Sequence, residues 1–123
     1  MILGFKPQFK EKIINKSKIH TIRRDENNRW KSGNKIHFAT GVRTKKQSCF
    51  RHGFCQSVQK ISIVYYEGLK GDEVGVLIDG RIISEEETEQ LAKNDGFDSV
   101  KEFFEWFNED FEGRLIHWTE FKY

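Results

Sequence analysis

Lys18-Ile19-His20-Thr21-Ile22-Arg23-Arg24, followed after a polar loop by Gly33-Asn34-Lys35-Ile36-His37-Phe38, is the stretch from which the rest of this chain can be read. Both segments have the look of short strands separated by a tight turn. Strand side chains have a period of two, so Thr21 and Arg23 fall on one face and His20, Ile22 and Arg24 on the other. Lys18 lies opposite Thr21 in a straight strand. The two share a site only if the chain bends near Lys18 or Ile19, as a helix-to-strand corner would make it do. The connecting loop, Asp25 to Ser32, is polar, with Asn27-Asn28 as turn formers and Trp30 as its exception. An aromatic ring beside basic residues can stack on a base, worth about 1 to 3 kcal/mol. Trp is seldom left fully exposed, however, and the stronger expectation is that Trp30 folds back over the core.

Upstream, Met1 to Phe5 reads as a first strand, and Pro7 suits the first turn of a helix because its missing N–H costs nothing there. Phe9, Ile13 and Ile14 recur at helical spacing, predicting a short basic helix over Pro7 to Asn15. Downstream, residues 41 to 54 carry Arg43, Lys45, Lys46, Arg51 and His52 with no acidic residue. Read as a loop joining two strands, this segment offers a basic rim for phosphates. Within it, Cys49-x-x-His52-x-x-Cys55 has zinc-ligand chemistry, but a tetrahedral set would need His20, His37 or His117 as well. If the segment is a strand, residues 49 and 55 share a face and His52 points away. Buried thiols are therefore expected, with no metal or other cofactor.

Val58 to Tyr66 is rich in β-branched and aromatic residues and predicts the clearest strand. Glu73 to Ser84 alternates through Val74, Val76 and Ile78, turns at Asp79-Gly80 and continues through Ile82. Asp-Gly is a hairpin signal, because both turn positions need positive φ. Two helices follow, opened by the capping boxes Ser84/Glu87 and Ser99/Glu102. The second has Val100, Phe103, Phe104 and Phe107 as a core-facing stripe. Between them Lys93-Asn94-Asp95-Gly96-Phe97 reads as a helix exit and turn, with Asp95 a turn former on local grounds. Leu115, His117, Thr119 and Phe121 alternate in a closing strand.

At 123 residues the chain suits one domain, 1–123, long enough to bury a core without disulfides. Its 11 Phe, 3 Trp and 3 Tyr are foreign to disordered segments. No apolar run approaches the roughly 20 residues that cross a bilayer. With no secretory leader pattern and only 2 cysteines, the expectation is a cytoplasmic protein without membrane association. The net charge of +2 hides an asymmetry, because residues 1 to 70 carry 16 Lys+Arg and 4 Asp+Glu (+12) and residues 71 to 123 carry 5 and 15 (−10). Either a basic face meets nucleic acid, or the halves neutralise one another across their contact.

The order of segments, a helix ending in a basic turn, Lys18-x-x-Thr21-Ile22-Arg23, a polar loop, Gly33-Asn34 and a strand, resembles the ASCH domain of the PUA-like superfamily. The likeness is greatest over residues 9 to 40 and returns near Asp95-Gly96-Phe97 and the last strand. It implies an α+β fold, a PUA-like small mixed β-barrel of about five to six strands with an N-terminal helix and two helices before the last strand. It implies RNA or a modified nucleoside as partner, and the leading expectation is a binding module with a basic cleft around Lys18 to Arg24. In that reading Arg23, Arg24, Arg43, Lys45, Lys46 and Arg51 meet phosphates and Trp30 or Tyr65 stacks a base. One ASCH branch consists of amidohydrolases of N4-acetylcytidine. Its catalytic lysine, threonine and carboxylate carry over onto Lys18, Thr21 and Asp95, the last where that branch has a Glu. A third expectation is an ASCH-type ribonuclease using groups such as Lys18 and His52. Oligomeric state is not legible.

Overall fold

The computed structural model describes residues 1–123. The chain runs β1 (Ile2–Phe5), α1 (Pro7–Ile14), β2 (His20–Arg23), β3 (Lys35–Thr40), β4 (Ser48–Phe54), β5 (Ser57–Gly68), β6 (Gly71–Ile78), β7 (Arg81–Ile82), α2 (Glu85–Asn94), α3 (Val100–Trp106) and β8 (Phe111–His117). Pro7 opens α1, whose Phe9 and Ile13 are buried while Glu11 is exposed and Lys10 and Lys12 are half-buried. Asp79 and Gly80 both have positive φ, +51° and +81°, giving the tight β6–β7 turn that the Asp-Gly pair predicts. Ser84 and Glu87 form the reciprocal box that caps α2. At α3 only half of that device is present, since Ser99 accepts from the Glu102 N–H while the Glu102 carboxylate accepts from the Asp98 N–H.

The strands form two sheets in an α+β fold. One has the order β1-β3-β4, with β1 and β3 parallel; the other is antiparallel, in the order β2-β8-β5-β6-β7. The ladders do not close into a barrel, and eight strands replace the five or six expected. The helix positions agree with expectation: one near the N-terminus, two before the last strand. Between the sheets lies a shared core. Leu3, Ile36 and Phe38 come from the first sheet and Ile61, Ile63, Val76 and Leu115 from the second, with α1, α2 and α3 adding Ile13, Leu91 and Phe103. Burying each such side chain contributes about 1.5 to 3 kcal/mol. Trp118 seals one side, edge-on to Phe38 at 4.9 Å between ring centres.

Two segments differ from expectation. Residues 48 to 54 are a strand rather than part of a loop. One of its faces is open to solvent, so polar residues such as His52 are tolerated and no apolar alternation marks it. The last strand ends at His117 rather than running to Phe121. Leu115, Ile116, His117 and Trp118 are all buried, and the chain then leaves the sheet to carry Tyr123 back against its centre. No helix is long and apolar enough to cross a membrane.

Candidate functional site

The corner that would bring Lys18 to Thr21 exists. After α1, Lys16 takes a left-handed conformation (φ +70°), the Lys18 N–H donates to Lys12 O and the Ile19 N–H to Asn94 O. This pins the start of β2 to the end of α2. Asp95 is the C-cap of α2, and Gly96, at φ +95°, turns the chain away. A Cβ on Gly96 would lie 3.0 Å from both Lys18 Cδ and Phe9 Cδ1, so the turn and the lysine fit together only through a glycine.

These elements surround a cavity of about 380 Å³, lined by Lys18, Thr21, Arg23 and Asp95 and walled by aromatic rings that include Phe5, Phe9 and Trp106. Its size is at the lower end of the roughly 300 to 1,000 Å³ of small-molecule sites. Lys18, Thr21 and Asp95 are 2%, 4% and 3% exposed. Lys18 Nζ donates to Asp95 O at 2.5 Å and to Asp95 Oδ1 at 3.3 Å, and sits 5.0 Å from the centre of the Phe9 ring. Burial drives the Lys18 pKa down to about 8 against the opposing pull of Asp95. The Thr21 hydroxyl accepts from Arg23 Nε at 3.3 Å.

Behind Asp95 runs a chain of buried polar groups whose proton positions follow from chemistry. The Asp95 carboxylate can only accept, so His20 carries its proton on Nδ1 and donates it to Asp95 Oδ1 at 3.0 Å. His20 Nε2 then accepts from the Tyr123 hydroxyl at 2.7 Å, and Asn94 Nδ2 donates to that hydroxyl at 3.1 Å. Beside it, Gln59 Nε2 donates to Asp79 Oδ2 and Tyr123 O, which leaves Gln59 Oε1 as the acceptor for His117 Nε2–H. His117 Nδ1 is left bare and buried without a partner. Burial first, then the neighbouring His20, lowers the His117 pKa to about 3; burial lowers that of His20 as well, and both rings are neutral near pH 7.

The structure thus brings Lys18, Thr21 and Asp95 into one cavity, and Asp95 does more than form a turn. It does not gather the expected phosphate contacts. Arg23 and Arg24 line the cavity, but Arg23 Nη2 donates to Gly4 O at 2.6 Å, bridging the two sheets, and Arg24 lies over the Phe111 ring. Arg51 donates to Ile13 O at the end of α1. Trp30 packs against the core as anticipated. Tyr65 donates its hydroxyl to Phe107 O and lines a larger groove of about 880 Å³ whose carboxylates include Asp72, Glu73, Glu85, Glu86 and Glu89. Those carboxylates repel phosphate, and the smaller cavity is favoured because it contains the desolvated lysine. Arg43, Lys45 and Lys46 are exposed, their charged heads unpaired, in the β3–β4 loop. His52 is not among the residues of the Lys18 cavity, so the two do not form one nuclease site. Cys55 is buried and Cys49 exposed, which corrects the expectation of two buried thiols.

Sequence reasoning missed His20, Tyr123 and Trp106. His20 stood in the quoted stretch, but nothing local reveals that residue 123 meets it. No protein-family model matches this chain, and neither the curated proteins nor the solved structures provide a match.

Proposed function

We propose that the protein binds a small amide of the modified-nucleoside class in the Lys18 cavity and hydrolyses it by acyl transfer through Thr21. The observation that carries this is a buried lysine with its pKa lowered to about 8, held by a carboxylate in the same aromatic-walled cavity as a threonine hydroxyl. A neutral Lys18 amine has two N–H bonds, and Asp95 supplies two acceptors, Oδ1 and the backbone carbonyl. Its lone pair is left free to act as base. Thr21 Oγ attacks the amide carbonyl and its proton passes to Lys18. The tetrahedral intermediate collapses, the C–N bond breaks and Lys18 returns the proton to the leaving amine. Water then attacks the acyl-threonine with Lys18 again as base, releasing the carboxylic acid. Arg23, whose Nε donates to Thr21 Oγ1, would supply fixed positive charge for the developing oxyanion.

The resemblance to ASCH domains supports the same reading and suggests N4-acetylcytidine as the first substrate to try. On that resemblance we read the two sheets as an opened PUA-like barrel and the setting as cytoplasmic. The pyrimidine would lie against the aromatic wall, where Trp106 is the most exposed ring. In the test, purified protein is incubated with N4-acetylcytidine and released cytidine and acetate are followed. Turnover is expected, with Thr21→Ala and Lys18→Ala each at least about 100-fold slower, the scale of a lost general base. Undiminished turnover in Thr21→Ala rules out the acyl-threonine route.

A second reading, RNA binding, is favoured by the unpaired Arg43, Lys45 and Lys46 of the β3–β4 loop. It predicts affinity that falls steeply as salt rises. Binding that is insensitive to salt removes it.

A further inference from the structure

We propose that His37, Cys49 and His52 form a binding site for one divalent ion of borderline softness, zinc first, held by two imidazoles and a thiolate with its fourth position open to water or an outside donor. The three side chains come from both strands of the β3–β4 pair, and their ligand atoms all lie within 4.8 Å of one another.

A bulge makes this possible. Along β4 the pairing runs Phe38 with Arg51 and then Ala39 with Cys49, so Phe50 has no cross-strand partner. In an unbroken strand Cys49 and His52 point to opposite faces. The extra residue moves Cys49 opposite Ala39, on the face that Ala39 shares with His37, while Phe50 and Arg51 both turn toward Phe38. His52 pairs directly with His37, and the His37 N–H points away to Met1 O, just ahead of β1. The His37–His52 pair is therefore of the non-hydrogen-bonded kind, in which side chains stand closest. Their ring centres are 4.7 Å apart.

The Cys49–His52 spacing suits a tetrahedral ion. With metal–sulfur near 2.3 Å and metal–nitrogen near 2.0 to 2.1 Å, such an ion holds S and N about 3.6 Å apart. Cys49 Sγ and His52 Nε2 are 3.7 Å apart. Cys49 and His52 are exposed and His37 half-buried, so an ion can enter from solvent, and no protein N–H donates to either imidazole in competition for its lone pair. Thiolate and imidazole select late first-row ions. No acidic residue occurs between Glu26 and Glu67, so magnesium and calcium would find no carboxylate from this part of the chain. Cys55, the other cysteine of the Cys-x-x-His-x-x-Cys spacing, is buried and outside the group. A bound ion would cross-link β3 to β4, the two strands that flank the basic loop carrying Arg43, Lys45 and Lys46.

The test uses the whole chain, stripped with chelator and titrated with cobalt(II). One equivalent should produce thiolate-to-cobalt absorption in the near ultraviolet and the strong visible bands of a tetrahedral ion, both removed by zinc. Cys49→Ser, at an exposed position that leaves the core intact, should lose the near-ultraviolet band, and His37→Ala and His52→Ala the visible bands. Zinc should raise the melting temperature of the parent chain but not of Cys49→Ser. No cobalt spectrum in the parent chain, or a thiolate band that persists in Cys49→Ser, overturns the proposal.

Discussion

At the scale of the residue, Lys18 is the feature with the clearest chemical consequence. Its amine is desolvated between Phe5 and Phe9 and steadied by Asp95, and burial outweighs the carboxylate in setting its pKa near 8. A base works only when deprotonated. Hydrolysis should therefore rise with pH, about tenfold per unit below pH 8, and level off above it. The pH profile of kcat/KM on N4-acetylcytidine checks this, and a limb with its midpoint far below 8 would assign the base to another group. Lys18→Arg should be inactive at every pH, because a guanidinium does not deprotonate. The motif made Lys18 and Thr21 legible as candidates. It did not reveal burial, which changes an ordinary lysine into a candidate base and which depends on rings contributed by β1 and α1.

At the scale of the element, the site depends on two short irregularities, the corner after α1 and the exit from α2. Gly96 serves the second and faces the first. Replacing it with Ala puts a side chain on a residue at φ +95° and a methyl 3.0 Å from Lys18 Cδ and Phe9 Cδ1. A cost of about 1 to 3 kcal/mol is expected for the backbone strain alone. Gly96→Ala should lower the melting temperature and slow turnover together, since the lysine must move; an unchanged melting temperature and rate would contradict the tight fit. Helices α1 and α2, β5 and the β6–β7 turn were legible because proline, capping residues, β-branched runs and Asp-Gly act locally. The strand β4 was not. Its bulge at Phe50 reverses the facing of Cys49, and a bulge leaves no mark in a pattern of period two.

At the scale of the whole molecule, the two sheets are tied through polar groups as well as the core. The Arg23 guanidinium spans from β2 to the carbonyl of Gly4 in β1, and His20, His117, Gln59 and Tyr123 link β2, β8 and β5 to the last residues of the chain. Two neutral histidines inside this network make the fold acid-sensitive. The pKa of His117 is 6.5 in its ordinary state and about 3 here, so below pH 6.5 the unfolded chain binds a proton that the folded chain refuses. Stability from this source is complete above pH 6.5 and is lost as pH falls toward 3, about 2 kcal/mol of it by pH 5. His20 acts in the same direction. Urea unfolding at pH 7 and pH 5 should expose the difference, and His117→Leu should flatten it; an equal pH slope in the variant would place the effect elsewhere. The charge asymmetry is not cancelled by direct pairing, since the only ion pairs within 4.0 Å that join residues 1–70 to 71–123 are Lys12–Asp98 and Lys18–Asp95, the neutral His20 adding only a hydrogen bond to Asp95. What the sequence determined by itself was local: the α+β class, the helix ends, the hairpin turn and the residue types of the Lys18-x-x-Thr21 motif, all governed by neighbours within a few positions. Only the tertiary structure decided which of these residues meet. Asp95 lies 77 positions from Lys18 and Tyr123 lies 103 from His20, and such pairs are set by how sheets and helices pack around a common core, a long-range outcome that no local pattern encodes.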